Sequence, residues 1–598
     1  MHSTSFFAEV IEYIKNNKPN KDKLSKAKVK LCAKHKMKKI PTDIEILLHA
    51  EKQDLAFLKK YLYTKPTRTI SGVAVVAIMS KPYPCPHGKC SPCPGGPKSE
   101  FGTVPQSYTG NEPATMRAIR NKYDSYLQIF NRLEQYVVLG QNPEKVELII
   151  MGGTFPSFPK KYQEEFVYYA FKAMNDFSKL FYKKIKGKED KESKEEFDIL
   201  KFREFFELPG EVGSEKRTKN IHKKALALKN KNKKNIINLE AEQKLNEISN
   251  IRCVGMTIET RPDYAQYEHA NEMLRLGCTR VELGVQSVYD EPLENIERGH
   301  DVHESIIATR TLKDLGFKIN YHMMLGLPGI DEKKDLAGLK ELFKNSDFQP
   351  DMLKLYPCMV LKGTKLFADW KKGKYIPLTT EKAAKIISEF KKSVPEYVRI
   401  MRVQRDIPTK MTLAGVDRTN LRQLIQENMK KENIQCKCIR CREIKQEEIK
   451  GKVSIKINKY PASQGEEYFI SAETKNNNNI HNLIGFCRLR FPSQNMRTET
   501  QRSKASGVPK ENIPLSITKN SALIRELHVY GSAVHIGSKG KKDSGQHKGF
   551  GKKLMQTAEQ IAKRAGKNKI VVISGVGVRD YYRKLGYKKQ GPYMIKNI

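Results

Sequence analysis

Apolar positions recur along this chain in two different periods. Near the start, Phe6, Phe7, Val10, Ile11 and Ile14 follow the spacing of an amphipathic helix. A lysine-dense stretch, Lys21 to Lys39, comes next, then a second helical pattern after Pro41 with Ile44, Leu47 and Leu48. Residues 1–65 thus form a small basic helical domain. From Ile70 onward the pattern is one of short β-branched runs, each ending in a polar or glycine-bearing turn: Ile70–Ile78, Val146–Met151, Val254–Ile258, Val281–Val285, Ile319–Leu325 and Met352–Tyr356. Helix-length segments such as Glu268–Leu276 and His303–Leu315 separate most of them. Strand alternating with helix predicts an α/β domain over residues 66–380, a (β/α) barrel or an open part of one, with its chemistry at the C-terminal ends of the strands.

One stretch inside that domain, residues 183–234, is rich in Lys, Glu and Asn and poor in apolar period, and is expected to be an insertion with a mobile surface loop. Residues 381–450 read as a connector. After Lys452 the pattern changes to antiparallel-looking strands followed by helix, strand, helix and strand, a separate α+β domain over 451–598.

Charge changes the picture. Lys and Arg number 109 against 67 Asp and Glu, a net charge of +42 that attracts a polyanion at long range, with nucleic acid the leading partner. A lysine-rich genome is the competing explanation. No apolar run approaches the roughly 18–20 residues that span a bilayer, and no secretory signal opens the chain, so a cytoplasmic protein without a membrane partner is expected. Eleven cysteines in two tight groups plus singles suit metal chemistry in a reducing compartment better than a disulfide framework.

The first strand runs into CPHGKCSPCPGG, which puts Cys85, Cys90 and Cys93 in one loop where Pro and Gly stop any helix. Three thiolates leave two choices open: a four-iron cluster with one iron free for a substrate, or zinc completed by a further ligand such as His87. Other strand ends add to the site. Gly152 and Gly153 would let a ligand approach the backbone, and Glu259 and Gln286 suit a ribose or an amino-acid group. CxxxxCxxC, GGTF, TIETRP, GVQS and GLPG in this order resemble the radical S-adenosylmethionine family. That resemblance implies a partial (β/α)6 barrel and a 4Fe-4S cluster whose open iron is chelated by S-adenosylmethionine. Gly152 and Gly153 would lie beside its methionine part, and Glu259 and Gln286 would contact ribose or substrate. Four residues between the first two cysteines depart from the commoner three.

In the last domain, Leu523–Tyr530 reads as a strand, and Gln546, His547, Lys548, Gly549, Phe550 and Gly551 open a helix. Glycines and a helix N-terminus make a pyrophosphate cradle, although an ordinary capped helix looks the same in sequence. With Ile570–Ser574 as the next strand and Tyr581 and Tyr582 on a short helix, the order resembles the GNAT acetyltransferase fold. The resemblance implies acetyl-CoA, with its pantetheine arm along Glu526, Leu527, His528 and Val529, its pyrophosphate on Gln546 and Lys548 to Gly551, and Tyr581 or Tyr582 near the thioester. Core packing is the plainer role for the tyrosine pair.

The connector carries Cys436, Cys438 and Cys441 in CKCIRC, a candidate zinc site with Cys358 as the expected fourth ligand; free thiols or a second iron–sulfur cluster are the alternatives. The segments SYTGNEPATMRAIR, IIMGGTF, MRVQRDIP, ELHVYG, ISGVGVRDYYRKLGY and GPYMIK resemble the family of Elongator catalytic subunits over nearly the whole chain from about residue 20. What this implies is tRNA modification: an adenosyl radical takes hydrogen from the methyl group of acetyl-CoA, the carbon radical adds to C5 of the wobble uridine, and hydrolysis leaves 5-carboxymethyluridine. An electron donor is required, and Lys145 would reach acetyl-CoA. Two rivals stand beside this: a protein lysine acetyltransferase with the barrel as scaffold and Glu526 as base, and a tRNA-binding subunit with degenerate sites.

Overall fold

The structure is a computed structural model that describes residues 2–37, 40–51, 53–62, 72–185, 194–210, 214–231, 237–444, 449, 451–475, 481–493, 517–531 and 549–598. It divides into two compact units: residues 1–76, 126–146 and 168–252 make one, and residues 77–125, 147–167 and 253–598 make the other. No helix among the described residues is long and apolar enough to cross a membrane.

The first unit opens with α1 (His2–Asn17), α2 (Lys21–Lys34), α3 (Asp43–His49) and α4 (Leu55–Leu62). Phe6, Val10, Ile14, Leu24, Ile46 and Leu58 close one core between them, which is the apolar stripe seen in the sequence. Thr42 and Glu45 form a reciprocal capping box that starts α3. The charged stretch 183–234, expected to be an insertion with a mobile surface loop, carries regular structure in its described residues. It holds an antiparallel hairpin, Tyr182–Ile185 with Lys194–Phe197, a helix Ile199–Phe205 and a longer one, α6 (Glu215–Asn230), that follows α5 (Lys160–Phe181) in this numbering. Residues 186–193, 211–213 and 232–236 of that stretch lie outside the described residues. Its order comes from phenylalanines that the surrounding lysines hide: Phe202 and Phe206 are fully buried and pack edge-on or tilted against Phe177 and Phe181. Arg203 donates to the carbonyls of Ala50 and Leu47, satisfying the end of α3.

The barrel sheet has seven strands in the order β1 (Val73–Met79), β2 (Lys145–Met151), β3 (Arg252–Thr260), β4 (Arg280–Gln286), β5 (Lys318–Leu325), β6 (Met352–Pro357) and β7 (Arg399–Arg402). Pairs β3–β4, β4–β5, β5–β6 and β6–β7 are parallel. Between them run α7 (Tyr267–Leu276), ended by Gly277 at φ 95°, α8 (Val302–Asp314), started by an Asp301–Glu304 capping box, and α9 (Glu332–Lys344). The expected six strands are joined by a seventh from the segment read as a connector. That segment also supplies α10 (Thr380–Phe390) and α11 (Leu421–Lys431). Four residues, Arg-Ile-Met-Arg, are too few and too polar to announce a strand by alternation.

The C-terminal sheet also has seven strands, ordered β8 (Val453–Ala462), β9 (Gly465–Lys475), β10 (His481–Phe491), β11 (Ser521–Val529), β12 (Lys569–Ile573), β14 (Tyr593–Asn597) and β13 (Lys588–Gln590), with α12 (Phe550–Arg564) and α13 (Arg579–Arg583). Only β11–β12 is parallel, and it pairs from Ser521 to Ile524, whereas β11 stays paired with β10 as far as Val529. β12 ends at Ile573, so residues 525–529 of β11 are paired on the β10 side and have no ladder partner on the other among the described residues.

Barrel and C-terminal sheet share one buried seam. Arg488, Arg490 and Arg525 are at most 1% exposed. Arg525 bonds Asp351, Glu467 and the Phe317 carbonyl; Arg490 bonds Asp314 and Glu467; Arg488 bonds Glu526 and the Tyr397 carbonyl. The Tyr593 hydroxyl donates to Leu315 O at 2.9 Å. A Cβ on Gly575 would stand 2.1 Å from Val254 O, so only glycine fits there.

Candidate active site: a cysteine loop and the C-terminal sheet

The cysteine loop leaves β1 after Ser80, whose N–H donates to Met151 O. Inside it, Gly88 N–H bonds Cys85 O and Cys93 N–H bonds Cys90 O, two turns that bring the sulfurs to one side. Cys85 Sγ lies 3.7 Å from Thr154 Oγ1, and Cys93 Sγ accepts the Ser107 N–H at 3.3 Å and lies 3.4 Å from Gln106 Oε1. Cys90 Sγ lies 3.1 Å from His87 Nε2 and 3.6 Å from Arg298 Nη1. Burial pushes the Cys85 and Cys93 thiols up, so metal would have to displace their protons.

Among the described residues, triplets of ligand atoms within 4.8 Å of one another occur at Cys436, Cys438 and Cys441 and at Glu259, Glu282 and His322, and not at the loop cysteines. A single zinc ion would hold thiolates about 3.8 Å apart, from a Zn–S bond near 2.3 Å. The wider spread of Cys85, Cys90 and Cys93 fits a polynuclear iron cluster, and His87 Nε2 lies against Cys90 Sγ.

Gly152 and Gly153 have φ of 124° and 96° at the end of β2. A Cβ on Gly152 would meet Ser80 Oγ at 2.3 Å, and one on Gly153 would meet Gln106 Cβ at 3.2 Å. These glycines are demanded by the root of the cysteine loop as much as by any ligand. Glu259 accepts the Tyr108 hydroxyl at 2.9 Å, and Gln286 ends β4 in the left-handed region at φ 68°, a strained position for a non-glycine residue.

Beneath them the strands turn polar side chains into the barrel, a feature the sequence reading missed. Glu282 bonds His322 Nε2 at 2.8 Å, Asn320 at 3.2 Å and the Lys354 ammonium. Arg280 reaches Glu147 at 2.5 Å, and Lys354 stands 3.7 Å from Glu259. Burial works to raise Glu282, but Lys354 and His322 outweigh it and hold the carboxyl well below its usual range. Lys354 thus fills the place a cation would take among Glu259, Glu282 and His322. The signal lay in charged residues within apolar runs: VELGVQ, INYHMM and MLKLYP.

In the last domain, Glu526 on β11 is 9% exposed, accepts Arg488 Nε at 2.9 Å and stands 3.9 Å from Lys318, the first residue of β5. Burial would raise its pKa, but Lys318 and Arg488 hold it low. A carboxylate so committed is a poor base for an amine. His528 stacks on Phe486, and burial lowers its pKa. Gly549, at φ 82°, is the N-cap of α12 and makes no side-chain cap; the N–H groups of a helix's first turn suit an anion. A Cβ on Gly551 would meet the Tyr581 hydroxyl at 2.7 Å, which puts Tyr581 at that helix start, 39% exposed. Tyr582 is buried against Tyr587 and belongs to the core. Gln546 and Lys548 lie outside the described residues.

Cys436, Cys438 and Cys441 are brought together, with Lys391 Nζ 3.8 Å from Cys441 Sγ. Cys358 does not join them. It is fully buried in a separate apolar cluster with Ile296, Leu327, Val360, Leu366 and Tyr375, because the turn after β6 folds into the barrel core. Lys145 is the first residue of β2, seven positions before Gly152, and burial lowers its pKa.

A cysteine loop at the mouth of a partial parallel barrel, joined to a sheet in which β11 outruns its parallel partner β12 and to a helix begun at Gly549, defines a radical S-adenosylmethionine domain coupled to a GNAT acyltransferase domain. Profiles of known families agree: the Radical SAM superfamily matches residues 210–339, the Radical_SAM C-terminal domain 350–431, the ELP3 N-terminal domain 4–70 and the Acetyltransferase (GNAT) domain 535–597. The chain is 41% identical to the tRNA uridine(34) acetyltransferase of Methanocaldococcus jannaschii, over 98% of this chain and 96% of that one. It is 38% identical to Elongator complex protein 3 of Homo sapiens, over 96% and 93%. The solved structure of Methanocaldococcus infernus Elp3 lacking residues 1–46 superimposes with a TM-score of 0.66 at 37% identity, covering 89% of this chain and all of that one. The chain belongs to the Elongator complex protein 3 family. Membership implies a 4Fe-4S cluster and S-adenosylmethionine, and the GNAT domain suits acetyl-CoA.

Proposed function

We propose that this protein modifies the wobble uridine of tRNA, moving the acetyl methyl carbon of acetyl-CoA to C5 to give 5-carboxymethyluridine in the cytoplasm. The observation that carries the reading is the buried seam that joins β11, the acyl-CoA strand, to the barrel through Arg525, Asp351 and Glu467. A free-standing acetyltransferase has no use for it. The cluster and S-adenosylmethionine, reduced by a donor of unknown identity, would supply a 5′-deoxyadenosyl radical, the kind of reagent an unactivated methyl group needs. Cys85, Cys90 and Cys93 would hold that cluster, while Glu259 and Gln286 orient the nucleoside beside Gly152 and Gly153. Leu527 to Val529 would pair with pantetheine. Gln546, Lys548, Gly549, Phe550 and Gly551 would cradle the pyrophosphate, with Tyr581 close by.

The reading sets a geometric requirement. Glu526 and Lys318 lie at the starts of the barrel strands and the cysteine loop at their ends, about 23 Å apart for the seven steps along β5 (Lys318–Leu325) at about 3.3 Å each. The acyl unit must therefore be carried from foot to mouth. Lys145, the first residue of β2, would reach acetyl-CoA. The Cys436, Cys438 and Cys441 triplet would hold zinc with a fourth ligand other than Cys358, a point that metal analysis decides.

Anaerobically reduced protein given acetyl-CoA, S-adenosylmethionine and unmodified tRNA should yield 5-carboxymethyluridine by nucleoside mass spectrometry, and Cys90→Ala should yield none. Lysine acetylation that persists in Cys90→Ala, with no modified nucleoside from the parent protein, would favour the protein acetyltransferase reading.

A further inference from the structure

Of the three loop sulfurs, Cys90 has the most unusual surroundings. Two side-chain nitrogens face it, His87 Nε2 at 3.1 Å and Arg298 Nη1 at 3.6 Å. A thiolate only accepts, so Nε2 carries the histidine proton, and Nδ1, buried without a partner, is the bare nitrogen. Arg298 is pinned by its other nitrogens: Nη2 donates to Gly284 O at 2.7 Å and Nε to His300 Nε2 at 3.1 Å. Among the described residues no carboxylate forms an ion pair with Arg298, although Arg261 close by is paired with Asp263.

Two glycines are shaped around these donors. A Cβ on Gly284 would lie 2.5 Å from Arg298 Nη2, and one on Gly299, at φ 70°, would lie 2.6 Å from His87 Cβ. The backbone has been cleared to seat one guanidinium and one imidazole against one sulfur. An arginine without a carboxylate is explained if its counter-charge is the cluster itself. Three thiolates on a four-iron core carry net negative charge, and reduction adds another unit.

We propose that His87 and Arg298 set the reduction potential of the cluster, acting as positioning and tuning residues through Cys90 Sγ. N–H bonds to a ligating sulfur and a fixed positive charge both stabilise the more negative, reduced state, and so raise the potential. The cysteine loop then contains a device for accepting the electron as well as for holding iron. This rests on the radical S-adenosylmethionine reading of the loop and is independent of the RNA substrate.

The test is a spectroelectrochemical titration of the full-length protein, reconstituted with iron and sulfide and free of S-adenosylmethionine, followed by electron paramagnetic resonance of the reduced state. At a fixed poise, Arg298→Met should lower the ratio of reduced to oxidised cluster about tenfold or more, which is a fall of about 59 mV for a one-electron couple. Arg298→Lys, which keeps the charge, should recover most of that shift, and His87→Ala should lower the ratio while iron content is unchanged. Arg298→Met with full iron and the parent potential would overturn the proposal. If Arg298→Met fails to load iron, His87→Ala decides: a lowered ratio supports the proposal and an unchanged one overturns it. Parent protein that binds no iron–sulfur cluster would remove the radical reading together with this one, an outcome that iron and sulfide analysis separates from a simple absence of shift.

Discussion

Arg525 and Asp351 meet in a two-pronged pair, Nη2 to Oδ1 at 2.6 Å and Nη1 to Oδ2 at 2.8 Å, with neither side chain exposed to solvent. One residue belongs to β11 and the other precedes β6 of the barrel, so this pair is the central tie of the seam. Removing one partner of a buried pair strands the other charge, at a cost of about 3–5 kcal/mol. Arg525→Met should lose stability on that scale in urea denaturation. A loss under about 1 kcal/mol would mean that Lys313 and Arg488 compensate.

Steric fit at the same seam has its own test. Gly575→Ala forces a Cβ to within 2.1 Å of Val254 O, backbone against backbone. Overpacking of this kind costs about 1–3 kcal/mol, so the thermal midpoint should fall, and a midpoint equal to that of the parent protein would refute the fit.

Asp335 gives a pH signature. Burial pushes its carboxyl up to about 7, against the Gly326 N–H bond that works to lower it. A folded pKa above the unfolded one means the folded state holds the proton longer, so stability falls as pH rises from about 4 to about 7. Asp335→Asn should remove that part of the slope. Denaturation midpoints of the two proteins that run parallel across this window would refute the assignment.

The tyrosine pair should separate in function. Tyr581→Phe removes a half-exposed hydroxyl at the start of α12 and should weaken acetyl-CoA binding severalfold in calorimetry with little change in stability. Tyr582→Ala empties a core position and should destabilise by about 3–5 kcal/mol. Equal loss of binding in Tyr581→Phe and Tyr582→Phe would overturn the division.

With a net charge of +42, RNA affinity should fall steeply with salt, and a truncation removing residues 1–65 should both weaken binding and flatten the salt slope. Unchanged binding after truncation would assign recognition to the barrel surface.

Much of this was legible in sequence because it is local. The strand runs ended within a few residues of their predicted bounds, and CPHGKCSPCPGG declared a three-thiolate loop on its own. Phe202 and Phe206 were not legible, since lysine and glutamate outnumber the few large rings that order their segment. The strand Arg399–Arg402 escaped notice because it is four residues long and begins and ends with arginines, one bonded to Glu443 and the other to Asp406, so no apolar alternation marks it.

By itself the sequence determined the two domain types and their order, since each motif that carries the resemblance is a short stretch of chain with its own spacing. Tertiary structure decided which residues meet. Cys358 went to an apolar cluster and away from the thiol triplet, Tyr582 to the core, and Arg298 to a cysteine 208 positions away in the chain. Such partnerships depend on how strands stack and where loops return, and burial alone makes a charge seek the one partner within reach. No local period records that choice.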